Sequence, residues 1–172
     1  FLTTRFDRTP QGARIHFASA MTLLGHTDGT NYSSGVSYLD LAEFVMQNGA
    51  SPDADLEELW RRIIFFISIS NTDDHLRNHG FLLSDKGWTL SPAYDINPVP
   101  TGTGLSLNIS TTDNALSIDL ALEVAEYFRV SEEKAIGIIS IIQSEVSKWE
   151  SIAEKVGIPK SERNSMAKAF KY

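Results

Sequence analysis

Between residues 52 and 70 the apolar positions fall at Leu56, Leu59, Trp60, Ile63, Ile64 and Ile67, spacings of three and four that predict an α-helix. Ser51-Pro52-Asp53 gives it a start: a capping hydroxyl, proline at the first helical position and acids in the first turn. Its last turns, Ile63-Ile64-Phe65-Phe66-Ile67, are apolar nearly all round, the mark of a helix buried on every side. A shorter amphipathic pattern predicts a helix over Tyr38–Met46, ended by Asn48-Gly49, and another over Ile15–Leu24 closed by Gly25, with His16 on its apolar face as a buried structural residue. Further helices are expected at about 117–128, at 132–156 with Ser131 as cap, and at 161–170. Strand signals are few: residues 1–6, a hairpin of Gly80–Leu83 with Trp88–Leu90 around Ser84-Asp85-Lys86-Gly87, and the alternating Leu105–Ile109. Arg8–Gly12 reads as a turn, and residues 26–35 and 91–104 as loops. The fold class expected is mainly α (α+β), with a few short strands around one polar loop.

That loop, Asn71-Thr72-Asp73-Asp74-His75-Leu76-Arg77-Asn78, leaves the end of the buried helix. Asp73 and Asn78 stand five positions apart, and Asp95, in Pro92-Ala93-Tyr94-Asp95, follows Asp73 by 22. Protein kinases use the same D-x-x-x-x-N spacing in the catalytic loop, with a metal-binding Asp further on. Phosphoryl transfer depends mainly on positioning and on neutralising phosphate charge. Magnesium needs only one or two protein oxygens, which Asn78 and Asp95 can supply, leaving Asp73 as a general base. Alone, such a spacing is more often a polar helix C-cap; Asp95 is what shifts the balance. Asp74, one position short of the kinase spacing, is expected to be a bystander.

Composition bounds the rest. The chain has 172 residues, about one domain's worth, with 42% hydrophobic and 22% charged residues, enough to bury a core. Its net charge of -7 argues against a nucleic-acid-binding surface. It has no cysteine, which removes thiolate metal sites and cysteine nucleophiles and fits a cytoplasmic location. No apolar run reaches the ~20 residues of a membrane span. Trp60 and Trp88 are read as core or near-core, and Arg5, Arg8 and Arg14 as solvated or weakly paired. The chain begins with Phe1 rather than Met, in what reads as a strand already under way, so it is expected to be part of a longer protein.

Five segments in series resemble the HipA-like serine/threonine kinases, the toxins of bacterial toxin–antitoxin modules. They are Arg5-Phe6-Asp7-Arg8; Gly12, Arg14, His16, Ser19 and Ala20; Asn71, Asp73, His75 and Asn78; Leu90-Ser91-Pro92-Ala93-Tyr94-Asp95-Ile96; and Leu105-Ser106-Leu107. The resemblance implies a protein-kinase-like fold, with residues 1–8 as a hinge strand and 9–172 as the helical C-terminal lobe. It also implies ATP and magnesium as cofactors and Asp73 as catalytic base. His75, Leu76, Arg77 and Asn78 would line the ATP phosphates, with Asn78 and Asp95 on the metal and Tyr94 beside them. Thr4, Arg5 and Phe6 would meet the adenine. The family usually has Glu where Thr4 stands, a small departure because backbone atoms do that work. The N-terminal lobe, which should carry the phosphate-cradling loop and the ATP-binding Lys, is not in this sequence, so the chain alone is expected to turn over little ATP. The partners implied are a protein substrate, an aminoacyl-tRNA synthetase being the familiar class, and a HipB-like DNA-binding antitoxin. Two other functions compete. One is metal-dependent hydrolysis, with His75 and His79 four apart beside Asp73 or Asp74; the other is a non-catalytic lobe that docks an antitoxin or a substrate protein.

Overall fold

Helix α3 (Pro52–Ile69) is the spine of the molecule in the computed structural model, which describes residues 2–172. Pro52 and the first-turn acids Asp53 and Asp55 start it as expected, whereas the Ser51 side chain makes no capping bond; its carbonyl accepts instead from the Asp55 N–H. Leu56, Leu59, Trp60, Ile63 and Ile64 are completely buried. The Trp60 indole N–H donates to the Ala121 carbonyl at 2.9 Å. Around this spine pack α2 (Tyr38–Asn48), α4 (Ile118–Glu123) and α5 (Glu132–Val146). The start of α2 is fixed by the Asp40 carboxylate accepting from the Ser37 N–H at 2.8 Å. Ser117 and Ser131 cap α4 and α5 by accepting from Leu120 N–H and Lys134 N–H.

A three-stranded antiparallel sheet lies beside the helices in the order β1 (Phe17–Ser19), β2 (Gly80–Ser84), β3 (Gly87–Leu90). The β2–β3 hairpin is the expected one, turning on Asp85-Lys86 with Ser84 opposite Gly87. Gly87 has φ 128°, a conformation that side-chain-bearing residues rarely adopt. The expected helix over residues 15–24 is instead β1 followed by a single turn, α1 (Ala20–Leu23). Phe17–Ser19 pair with Leu82–Gly80, so strand pairing with a distant segment overrides the local helical pattern. His16 is exposed rather than buried, its ring 5.5 Å from that of Trp88.

Other expectations need correction as well. The proposed strand at residues 1–6 is not formed over 2–6, and Phe1 lies outside the described residues. Asp7 takes Arg5 at 2.6 Å and Arg8 at 2.7 Å at a turn over residues 6–7, and the chain beyond it makes only an isolated bridge, Arg8 to Arg14. Those pairs, with Arg5 foremost, hold the Asp7 carboxyl down at about 2. Leu105, Leu107 and Ile109 are buried, as their alternation implies, yet the segment makes only one isolated bridge, Asn108 to Ser37. Residues 117–128 split into α4 and a 3₁₀ turn (Ala125–Phe128). The long C-terminal helix breaks after α5 at Ser147-Lys148, and α6 (Trp149–Lys155) then lets Trp149 lie flat on Phe170, centroids 4.2 Å apart. The chain finishes with α7 (Lys160–Met166) and a 3₁₀ turn (Ala167–Ala169). Among the described residues no helix is long and apolar enough to cross a membrane.

Two buried polar residues of α3 fasten the end of β3. The Asp55 carboxylate accepts from the Leu90 N–H at 3.1 Å, and the Arg62 guanidinium donates to the Ser91 carbonyl at 2.7 Å. Burial pushes the Asp55 carboxyl above its ordinary 3.8. The folded chain therefore holds this proton more tightly than the unfolded one. That stabilisation is complete below 3.8 and is lost as pH rises through the folded value. Asp55→Ala leaves the Leu90 N–H buried without a partner and is expected to cost about 1–3 kcal/mol at neutral pH, measured by urea denaturation. Asp55→Asn retains an acceptor and should cost less, and it should abolish this group's share of the acid-side pH dependence.

Candidate functional site

The polar loop begins where α3 stops. Ser70 takes the left-handed conformation (φ 50°), its N–H donating to the Ile67 carbonyl, while Asn71 N–H reaches Phe66. That reversal frees the chain from the helix and directs residues 71–79 toward β2. Thr72 is fixed from outside, because its carbonyl accepts from the Ser106 hydroxyl at 2.9 Å. A Cβ on Gly102 would stand 2.3 Å from the Thr72 hydroxyl oxygen, so only glycine allows this approach.

Within the loop the two aspartates diverge. Asp73 is exposed, whereas Asp74 turns inward and is 1% exposed. Leu76–Asn78 form a 3₁₀ turn, and the Asn78 carboxamide nitrogen donates back to the Asp73 carbonyl at 3.2 Å. This bond sets the amide plane and leaves Oδ1 as the acceptor of Asn78, a residue 7% exposed. His75 is half-buried, with Nδ1 buried and unpartnered.

Asp95 arrives on the loop after β3, itself in the left-handed region at φ 54°. Asp tolerates this better than most residues, and such strain, of order 1–3 kcal/mol, persists only where neighbours enforce it. The neighbours here are identifiable. The Tyr94 hydroxyl donates to the Arg77 carbonyl at 2.6 Å, and burial raises its ionisation to about 12, so it stays a donor. The Asn97 N–H donates to the Asn71 carboxamide oxygen at 3.1 Å, and the Asn97 amide donates to Asp95 at 2.9 Å. Val99 N–H reaches the Ser70 carbonyl at 3.0 Å. The stretch holding Asp95 is thus laced on both sides to the loop holding Asp73 and Asn78.

Beside this lies a cavity of about 620 Å³ whose lining includes Thr4, Arg5, Phe6, Phe17, Arg77 and Tyr94. The Phe6 and Tyr94 rings are near parallel, 5.8 Å apart, and Phe17 is tilted 5.9 Å from Phe6. Arg77 also forms an ion pair with Asp28 across the mouth of the loop.

A model of the HipA-like C-terminal domain matches residues 1–170. The chain belongs to the HipA-like C-terminal domain family. A Haemophilus influenzae protein named "Putative kinase" is 32% identical over 109 residues, 58% of this chain and 32% of its own length. A Sinorhizobium fredii protein named "Putative kinase Y4dM" is 32% identical over 163 residues, 90% of this chain and 38% of its own length. The chain thus spans about a third of the curated relatives it matches. Among solved structures, one from the Shewanella oneidensis MR-1 toxin–antitoxin system, a complex of HipA, HipB and operator DNA, superposes with a TM-score of 0.73. It covers 96% of this chain and 45% of that one, and at 20% identity it shows the fold alone. The fold seen here, helices with a small antiparallel sheet, is therefore HipA-like.

Of the HipA-like site residues expected from sequence, Thr4, Arg5, Phe6, Arg77 and Tyr94 line the cavity. Asp73, His75, Asn78 and Asp95 belong to the two laced loops. Leu76 is different: its side chain is 2% exposed and packs in the core, on a 3₁₀ turn set against α1 and β1. Only its backbone can face a ligand. Phe17 escaped the sequence reading because it was placed on a helix; its pairing with β2 is what brings it to the cavity. The hydrolase alternative finds no support in this geometry. His79 is extended and fully buried, its Nε2 engaged by Asp74 at 2.8 Å, so it cannot share an exposed metal with His75. Among the described residues no group of three or more His, Cys, Asp or Glu could hold a metal ion. A site made of Asn78, one carboxylate and a triphosphate would not form such a group.

Proposed function

We propose that this chain is the kinase-like lobe of a HipA-like serine/threonine kinase that transfers the γ-phosphoryl group of ATP to a protein hydroxyl. The observation that carries this reading is the lacing of Asp95 to the Asp73–Asn78 loop through Tyr94–Arg77 and Asn97–Asn71. Asn78 and Asp95 offer hard oxygens, the type magnesium takes, and the triphosphate and water would complete the remaining positions. Bound there, magnesium would neutralise charge on the transferring phosphate.

Each residue then has a task. Asn78 Oδ1, set by the bond from its own amide to the Asp73 carbonyl, and the Asp95 carboxylate would hold the metal. Asp73, exposed to an incoming substrate, accepts the proton of a Ser or Thr hydroxyl. Arg77 and His75 stand where phosphate charge would collect. The aromatic cavity, within the ~300–1,000 Å³ range of small-molecule sites, takes the base beside the stacked Phe6 and Tyr94 rings, with Thr4 and Arg5 also in its lining. Residues 2–8 serve as the hinge without forming a strand. The partner proposed is a HipB-like DNA-binding antitoxin, in keeping with the family and with the assembly of the Shewanella structure. The substrate proposed is a protein carrying the reactive hydroxyl.

The test is phosphoryl transfer by the natural full-length protein. Incubated with γ-labelled ATP and magnesium, it should place label on serine or threonine of itself or of a protein acceptor, and chelation of magnesium should abolish labelling. Absence of both labelling and magnesium-dependent ATP binding would refute the proposal.

A further inference from the structure

A buried polar cluster sits behind the candidate site, and no step above uses it. Asp74 Oδ2 accepts from the Tyr38 hydroxyl at 2.6 Å and meets His79 Nε2 at 2.8 Å. Tyr38 and His79 are fully buried and Asp74 is 1% exposed. The His79 ring stands edge-on to Tyr38, centroids 5.7 Å apart, and tilted against Phe66 at 6.2 Å. The wall behind His79 is therefore α2 on one side and the end of α3 on the other.

A buried carboxylate is costly unless it is well bonded, and replacing such a cluster by apolar side chains is often neutral or stabilising. Stability alone is thus a weak reason to keep it here. Its placement offers a better one. Asp74 is the chain neighbour of Asp73, and His79 is the neighbour of Asn78. A bond between Asp74 and His79 therefore closes the loop at its base and sets how far apart the proposed base and the proposed metal ligand stand. The Asn78–Asp73 amide bond closes the same loop on its outer side. Tyr38 ties the closed loop to α2, and burial together with Asp74 raises its ionisation well above the ordinary value, so its hydroxyl remains a donor.

We infer that Tyr38, Asp74 and His79 form a positioning clip that fixes the geometry between Asp73 and Asn78 for phosphoryl transfer. The inference rests on the function proposed above. The clip touches neither nucleotide nor metal; it acts through the two residues it flanks. It also gives Asp74, a bystander by spacing, a role that the kinase spacing does not reveal.

The experiment uses the natural full-length protein and three variants: Tyr38→Phe, Asp74→Asn and, as a control, Trp60→Phe. The control removes the indole bond to Ala121 while leaving the loop alone. For each, kcat, KM for ATP, the half-saturating magnesium concentration and the melting temperature are measured. Tyr38→Phe deletes one oxygen from the clip and is expected to lower kcat about 10-fold, short of the ~10²-fold that a 1 Å displacement can cost. Half-saturating magnesium should rise several-fold, while KM for ATP, set in the untouched cavity, stays within about 2-fold. Trp60→Phe should keep wild-type kcat even where its melting temperature falls as far as that of Tyr38→Phe. Asp74→Asn should act in the same direction as Tyr38→Phe; if it fails to fold, the Tyr38→Phe comparison still decides. An active wild type with unchanged kcat and magnesium dependence in Tyr38→Phe overturns the clip alone. A wild type without magnesium-dependent turnover overturns the proposed function and the clip with it.

Discussion

Replacing Asp73 with asparagine in the natural full-length protein is expected to lower the rate of phosphoryl transfer about 10²–10⁴-fold, the usual weight of a positioned general base. The change is nearly isosteric and the side chain is exposed, so no packing is lost and the melting temperature should hardly move. Asparagine cannot take the hydroxyl proton, yet the backbone carbonyl of residue 73 still accepts from the Asn78 amide. The loss should therefore appear in kcat, with KM for ATP and the magnesium requirement close to wild type. Asp95→Asn is the instructive contrast. It weakens a metal ligand, so its loss should be partly recovered by raising magnesium, which Asp73→Asn should not permit. Equal magnesium rescue of both variants would remove the distinction between base and ligand. An unchanged rate in Asp73→Asn would take the proton acceptor away from this residue.

Truncation of Trp60 to alanine is expected to destabilise the chain by about 3–5 kcal/mol, the range for a large aromatic removed from a core. Trp60 is completely buried in the middle of α3, and its indole N–H satisfies the Ala121 carbonyl at the end of the first turn of α4. The variant loses packing and orphans that carbonyl together. For a domain of this size the melting temperature should fall by on the order of 10 °C. A loss under about 1 kcal/mol in urea denaturation would mean that the core collapses around the vacancy or that α3 is not its centre.

What could be read from the sequence were features written locally. Pro52 and its acids, the three-and-four spacing through Ile67, the helix start at Ser117, the Ser131 cap and the Ser84–Gly87 turn each specify their element within a few residues. All appear in the structure, α4 as a shorter helix than expected. The failures are non-local. Phe17–Ser19 become a strand only because Gly80–Leu82 lie alongside, more than 60 positions on. Leu105–Ile109 alternate as a strand should, but the chain offers them one bridge at Ser37 in place of a full edge. The helix expected over 132–156 breaks at Ser147-Lys148, where nothing in the periodicity signals that Trp149 will stack on Phe170.

The same division holds in the site. The spacing of Asp73, Asn78 and Asp95 was visible in the sequence, and the structure puts their loops together through bonds of Tyr94 and Asn97 that no spacing rule supplies. That Asp74 faces inward and Asp73 outward follows from the turn after Ser70, a left-handed residue that is not glycine and so carried no sequence signal. Leu76 reads as a site residue by position and as a core residue by chemistry, and chemistry prevailed.

A crystal structure of the natural protein with magnesium and a non-hydrolysable ATP analogue would decide the matter. It should show Asn78 Oδ1 and an Asp95 carboxylate oxygen both about 2.0–2.1 Å from one magnesium ion, with the purine in the Phe6–Tyr94 cavity. A metal–nucleotide pair bound elsewhere, or one that leaves Asp95 outside its coordination sphere, would contradict it.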